Sequence, residues 1–219
     1  MSLVKYKQKR DFKVSPEPQS GKPSSKALSF VVQRHKASHL HYDFRLEMDG
    51  VLKSWAVPKG PSLNPKDKRL AMMVEDHPYD YKDFKGVIPE GYGAGIVEIW
   101  DKGTYTGVDE KGNAIDEKKL RAALKAGSIK VALKGKKLKG EFALVKLKND
   151  EKGNSWLLIK HRDDYAVDKI YDSEKETDKN SPINKWLAEN KKNGTAKKPE
   201  HSSLPTGSPG QVKKKLSSQ

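Results

Sequence analysis

The stretch HKASHLHYDFRLEM, residues 35–48, alternates strictly from His41 onward. His41, Asp43, Arg45 and Glu47 fall on one parity, and Tyr42, Phe44, Leu46 and Met48 on the other. A period of two is the signature of a β-strand. One face is apolar and aromatic, suited to packing. The other sets an imidazole, a carboxylate and a guanidinium in a row, about 7 Å apart at ~3.3 Å rise per residue. Solvated strand faces are mostly Lys, Thr, Glu and Ser, so this face is not ordinary surface. His and Asp make a metal-binding pair, and the planar fork of Arg fits a phosphate. Together they point to metal-assisted phosphoryl chemistry. His35 adds a third ligand candidate. His39 shares parity with His41 and competes with it.

Working outward, LSFVVQ (28–33) reads as a buried strand leading into the His segment. Asp49-Gly50 is a hairpin turn, and VLKSWAV (51–57) is the return strand. RLAMMVE (69–75) is a further strand, closing at Asp76-His77-Pro78. Residues 79–95, rich in Gly, Tyr and Pro, read as an ordered loop. Its EGYGAG run has no following Lys or helix, so it is a shaped loop beside the site and not a phosphate loop. GIVEIWDKGTYTG (95–107) alternates again. Asp116 caps a helix, EKKLRAALKA, closed by Gly127. Three more strands follow in IKVALKG, LKGEFALVKL and SWLLIKH. Seven or eight short, turn-spaced strands with one helix make a mainly β fold, an antiparallel barrel or sandwich.

The flanks differ. Residues 1–26 carry Ser-Pro-Glu-Pro and Gly-Lys-Pro-Ser-Ser and no periodicity, which predicts an extended basic arm. The expected body is 27–171. Residues 172–194 are polar except for an island in which Ser181 caps, Pro182 opens and Gly194 ends a short helix. Ile183, Trp186 and Leu187 share its face and predict docking on the body. From 195 to 219, Lys, Ser, Pro and Gly dominate, and the composition predicts a disordered basic tail.

The net charge is +15 over 219 residues. Residues 1–26 contribute +5 and 172–219 contribute +4, which leaves +6 on the body. A basic body with basic flanks is the footprint of a polyanion binder. No Cys is present, which excludes disulfides, thiolate zinc sites and a cysteine nucleophile, and fits a reducing cytoplasm. No apolar run reaches the ~18 residues of a membrane span. The start, MSLVKYKQKRDFKV, has no apolar core of a secretory signal. The expected location is the cytoplasm.

HKASHLHYDFRLEMDGVLKSWAVPKGPS, joined to VEDHPYDYKDFKGVIPEGYGAG, resembles the 3′-phosphoesterase domain of bacterial ligase D, the end-joining DNA repair enzyme, and its stand-alone relatives. The resemblance runs from about residue 9 to 165 and covers several motifs in order. It implies a small closed antiparallel β-barrel of about eight strands with a polar cavity, without primase-polymerase or ligase modules. It implies that His35, His41 and Asp43 hold a metal, usually Mn²⁺, with Co²⁺ or Zn²⁺ as alternatives. Arg45 falls on a phosphate-gripping arginine, and His77 and Tyr81 on residues that contact the phosphate. His77, with an ordinary pKa near neutral, is the candidate proton donor to the leaving oxygen. Gln33, Lys59, Arg69 and Glu75 match cavity-lining, substrate-binding positions. In the arm, Arg10, Asp11 and Glu17 match positions serving a ribonucleotide-removing step.

The implied substrates are DNA or DNA/RNA primer-template 3′ ends bearing a ribonucleotide or a phosphate. A separate ligase, polymerase or Ku protein is the implied partner. Two other classes compete. A non-haem Fe(II) oxygenase would use His41-x-Asp43 with His77 or His161, but leaves His35, Arg45 and the basic charge without a role. A non-catalytic nucleic-acid-binding barrel would need no metal triad. Otherwise His161 ends a strand and reads as structural, and His201 lies in the tail.

Overall fold

The computed structural model describes residues 3–23, 25 and 27–192. The tail predicted for 195–219, Gly194 and His201 lie outside the described residues. The strands are β1 (Leu28–Lys36), β2 (Leu40–Met48), β3 (Val51–Val57), β4 (Lys68–Met73), β5 (His77–Pro78), β6 (Gly86–Ile88), β7 (Gly95–Val108), β8 (Ala114–Ile115), β9 (Ser128–Lys134), β10 (Lys139–Lys146) and β11 (Ser155–Lys160). The helices are α1 (Val4–Gln8), α2 (Glu117–Ala126) and α3 (Pro182–Lys192), with a 3-10 turn over Tyr79–Asp83.

Eight strands close on themselves in the order β1-β2-β3-β4-β11-β10-β9-β7, and β7 returns to β1. All pairings are antiparallel. Closure leaves no free barrel edge. The β2–β3 hairpin turns on Asp49-Gly50, both at positive φ (53° and 73°), directly between the paired Met48 and Val51. Two positive φ values in a two-residue loop match the strand twist, which is why Asp-Gly occurs there. On β7 the register shifts opposite Val32/Gln33, a bulge that bends this long strand.

The interior is one apolar cluster to which all eight strands contribute, Phe30, Phe44, Trp55, Ala71, Trp100, Val131, Phe142 and Trp156 among them. Leu120 and Leu124 of α2 join that cluster. The predicted helix caps hold: Lys119 N–H donates to the Asp116 side chain at 2.7 Å, and Gly127 takes the left-handed conformation. A barrel of this size is filled by side chains, and unpaired charges inside it would be costly. The polar cavity implied by the resemblance is therefore not the barrel interior. Tyr42, Phe44, Leu46 and Met48 point in, so His41, Asp43 and Arg45 point out. They are still shielded, because the arm and residues 77–95 lie over that outer face.

The arm departs from the predicted extended chain. It opens with the short helix α1, whose Tyr6 is fully buried against His77 and Tyr81. The local sequence has no helical period to read, and tertiary packing decides it. At the other end α3 forms as predicted. Asn184 N–H donates to Ser181 Oγ at 3.3 Å, and Ile183, Trp186 and Leu187 pack with Leu40, Val87 and Ile96. The connecting segment is held by Arg34. This fully buried guanidinium donates to Glu98 (2.9 Å), Glu174 (2.5 and 2.9 Å) and Asn184 (2.9 Å).

Candidate functional site

Strand register builds the site. His35 and His41 lie directly opposite on β1 and β2, and Gln33 lies opposite Asp43. The two imidazole centroids stand 4.8 Å apart. Asp43 is between them: Oδ2 is 3.7 Å from His35 Nδ1, and Oδ1 is 3.8 Å from His41 Nε2. One ligand atom from each residue lies within 4.8 Å of the others, the one such grouping among the described residues.

The second nitrogen of each ring decides what the first can do. His35 Nε2 faces the Gly93 carbonyl at 2.9 Å, and His41 Nδ1 faces the His39 carbonyl at 3.0 Å. A carbonyl only accepts, so each of those nitrogens carries the hydrogen. In the neutral rings His35 Nδ1 and His41 Nε2 then present lone pairs toward Asp43. Outer hydrogen bonds of this kind fix the tautomer of metal-ligating histidines. Burial holds His41 below its ordinary pKa, against the opposing pull of Asp43, and so favours its neutral form. Burial alone would raise the Asp43 carboxyl; the charge of Arg45 outweighs it and holds it ionised well below the usual carboxylate range. Two neutral imidazoles and a carboxylate fit a divalent first-row transition ion.

Arg45 closes one side. Its Nε donates to Gln33 Oε1 (2.8 Å) and its Nη2 to Asp43 Oδ2 (3.0 Å). Arg45 Nη1 is buried and has no hydrogen-bond partner among the described residues. A buried unpaired guanidinium donor is costly unless a ligand meets it. The guanidinium lies over the Tyr81 ring at 4.7 Å. Gln33 also donates to the Tyr81 and Phe84 carbonyls (2.9 and 2.8 Å), tying the 3-10 turn to the barrel.

His77 and Tyr81 stack edge to face with centroids 4.8 Å apart. His77 is buried, with Nδ1 2.9 Å from the Glu75 carbonyl and Nε2 3.2 Å from Arg10 Nη2. Burial, then the charges of Arg45 and Arg10, push its pKa well below the ordinary value. The ring is neutral, with its hydrogen on Nδ1 and Nε2 accepting from Arg10. Tyr81 donates to Glu17 Oε1 at 2.9 Å, and burial, reinforced by Glu17, lifts its hydroxyl well above 10.

The arm supplies the far wall. Arg10 donates to Glu17 (2.9 Å), Glu75 (3.1 Å) and the Tyr6 carbonyl (3.1 Å) and lies 3.8 Å over the Tyr6 ring. Lys9 pairs with Glu75 at 3.0 Å. Of the sequence candidates, His35, His41, Asp43, Arg45, Gln33, His77, Tyr81, Arg10, Glu17 and Glu75 form one connected constellation. Asp11 does not join it: it is exposed and accepts from Lys13 N–H in a local turn. Lys59 and Arg69 line a separate cavity of about 450 Å³ with Tyr42, Asn64, Tyr171 and Glu174. Arg69 there donates to Asp67 and to the Tyr171 carbonyl.

Sequence reading missed Tyr6, the Gly93 carbonyl and Ser54, whose Oγ lies 3.3 Å from His77 Nδ1. Tyr6 carries no motif, and a carbonyl is invisible to residue type. Neither alternative ligand of the oxygenase reading joins the grouping of His35, His41 and Asp43. Both nitrogens of His77 are engaged, and His161 faces Glu141 at 3.7 Å.

The fold is thus a closed antiparallel barrel whose outer face carries a candidate metal-binding His₂Asp triad and a buried arginine. The family model "DNA Ligase D 3'-phosphoesterase domain" matches residues 33–146, and the chain belongs to that family. The multifunctional non-homologous end joining protein LigD of Pseudomonas aeruginosa is 49% identical over 168 residues, covering 75% of this chain and 19% of the relative. The multifunctional non-homologous end joining DNA repair protein LigD of Mycobacterium tuberculosis H37Rv is 41% identical over 170 residues, 75% of this chain and 21% of the relative. That of Mycolicibacterium smegmatis is 40% identical over 164 residues, with 74% and 21% covered. The chain thus spans about a fifth of the length of these curated relatives. No helix among the described residues is long and apolar enough to cross a membrane.

Proposed function

We propose that this protein is a metal-dependent phosphoesterase that heals DNA 3′ ends in end-joining repair, removing a terminal ribonucleoside and then the 3′-phosphate to leave a hydroxyl. The observation that carries this is the pairing of a tautomer-fixed His35, His41, Asp43 triad with the unpartnered buried Nη1 of Arg45. Those three residues would hold Mn²⁺ or, failing that, Co²⁺ or Zn²⁺. A bound ion of this type supplies Lewis acidity toward a phosphoryl oxygen and lowers the pKa of a coordinated water.

The chain's own residues do the rest. Arg45 presents Nη1 to a phosphate oxygen while Gln33 and Asp43 hold the other edge of its fork. Fixed donors aimed at developing phosphoryl charge need no reorganisation during reaction. His77, neutral and accepting from Arg10, orients that guanidinium; it has no Nε2 hydrogen to give in this arrangement. Tyr81 and Glu17 lock the arm onto the site. Arg10, Glu17 and Glu75 act in the ribonucleoside step, and exposed Asp11 meets substrate from the arm. Lys59 and Arg69 engage nucleic acid away from the reacting phosphate. A separate ligase, polymerase or Ku protein would use the healed end.

The test is a 5′-labelled primer-template ending in one ribonucleotide, incubated with protein and Mn²⁺. The expected products are a primer shortened by one nucleoside with a 3′-phosphate, then the 3′-hydroxyl form. EDTA should abolish both. Undiminished turnover in EDTA, or an unaltered primer with Mn²⁺, would overturn the reading.

A further inference from the structure

The glycine loop after β6 does more than supply one accepting carbonyl. Gly91 and Gly93 take φ of +80° and +83°, a conformation L side chains rarely adopt, and they bracket Tyr92. Gly93 is the residue whose carbonyl holds the His35 ring. Tyr92 is therefore one residue from a group that fixes a metal ligand. Its ring is nonetheless not packed away, with 48% of its surface exposed. Lys9 Nζ stands 4.4 Å from the ring centroid and the Arg10 guanidinium 5.6 Å. Tyr165 is the one other exposed aromatic among the large exposed hydrophobic side chains of the described residues. It lies beyond β11, in the turn of Asp163.

We propose that Tyr92 is a stacking platform for the base of the terminal nucleotide, beside the site where that nucleotide's 3′-phosphate reacts. This rests on the phosphoesterase reading of the site. Every nucleobase has a π-face, so an aromatic at the rim holds a terminal nucleotide without reading its sequence. An end-healing enzyme has this requirement, because broken ends carry any base. The cations beside the ring serve the same ligand. Lys9 steadies the ring and adds positive charge where the adjoining backbone phosphate would run. The loop thus couples two tasks: Gly93 sets the His35 tautomer and Tyr92 sets the base.

The test measures binding of two 5′-fluorescein oligonucleotides by anisotropy, with Mn²⁺ present. Both end in a non-hydrolysable 3′-phosphonate. One carries a base on its last nucleotide, and the other a tetrahydrofuran abasic residue. Wild type should bind the base-bearing end roughly 5- to 150-fold tighter, the range alanine substitution of a stacking aromatic gives. Tyr92→Ala and Tyr92→Leu should bring the ratio to about 1, and Tyr92→Phe should keep it. The ratio is internal to each variant, so a general loss of metal or stability cancels. A ratio of 1 in wild type, a ratio surviving in Tyr92→Leu, or loss in Tyr92→Phe equal to that in Tyr92→Ala overturns the proposal. Turnover of the ordinary phosphate is followed in parallel. Turnover without a wild-type ratio sinks the stacking site alone; a ratio abolished in Tyr92→Leu without wild-type turnover sinks the phosphoesterase reading alone.

Discussion

At the scale of single residues, Arg45 and His41 allow the two roles proposed for one strand face to be tested apart. Arg45 binds Asp43 through Nη2 and leaves Nη1 unpaired. Arg45→Ala should therefore keep the Mn²⁺ site, measured by metal titration, and lose about 10²- to 10³-fold in 3′-phosphatase rate, the usual effect of removing one fixed donor. Arg45→Lys should recover little, since an ammonium cannot span Gln33, Asp43 and a phosphate as a planar fork does. Metal lost together with Arg45 would show that the guanidinium serves Asp43 and not a ligand. His41→Ala should lose metal and turnover while the barrel still melts cooperatively, because His41 points out of the apolar interior. The alternation of 41–48 made both residues legible in the sequence, and parity alone placed them on one face. The fixing of each tautomer was not legible, because it depends on the Gly93 and His39 carbonyls, and backbone groups leave no mark in residue type.

At the scale of elements, the two flanking segments bind the barrel differently. The arm is held by Arg10, buried between Glu17 and Glu75. Removing one partner of a buried ion pair strands the others, at about 3–5 kcal/mol. The arm can relieve that cost by undocking, since the interior cluster of the barrel does not include it. Arg10→Ala should thus raise hydrogen exchange over 3–18 with little change in barrel exchange; uniform loosening would mean that the arm folds with the barrel as one unit. The segment leading into α3 is held by Glu174 on Arg34 and Tyr42. Burial works to raise the Glu174 carboxyl, but the Arg34 and Tyr42 hydrogen bonds outweigh it and lower its pKa. A depressed folded pKa gives stability present above the unfolded value of ~4.3 and lost as pH falls through the folded one. Exchange over 174–192 should therefore rise on acidification below about pH 4, and Glu174→Gln should remove that dependence. The α3 helix was readable from Ser181, Pro182 and the Ile183, Trp186, Leu187 face. The anchor was not: Arg34 and Glu174 are 140 residues apart, and an Arg standing between Gln33 and His35 carries no sign of its partner. The same limit hid α1, whose five residues are helical because Tyr6 docks against His77.

At the scale of the whole molecule, strand count and turn chemistry gave the class, but closure required the long-range β1–β7 pairing that no local pattern encodes. Closure also explains why the candidate site sits outside. With the interior filled by aromatic and aliphatic side chains, a polar site can only be built on the outer wall and roofed by flanking chain. In the proposed reading, nucleic acid would approach that wall on a chain whose net charge is +15, spread over the arm, the body and the C-terminal segment. Residues 195–219 add five Lys and one Glu to that total and bring no apolar period. Their expected contribution to binding is electrostatic and independent of sequence, through release of counterions. Deleting them should leave turnover at saturating substrate unchanged and weaken KM a few-fold at low salt. The defect should fade as ionic strength rises, because screening has already removed those contacts from the intact protein. The plot of log affinity against log salt should be shallower for the truncated chain. A truncation at 194 that destroys turnover at saturating substrate would place those lysines in the reaction itself, and a defect that persists at high salt would show contacts other than charge.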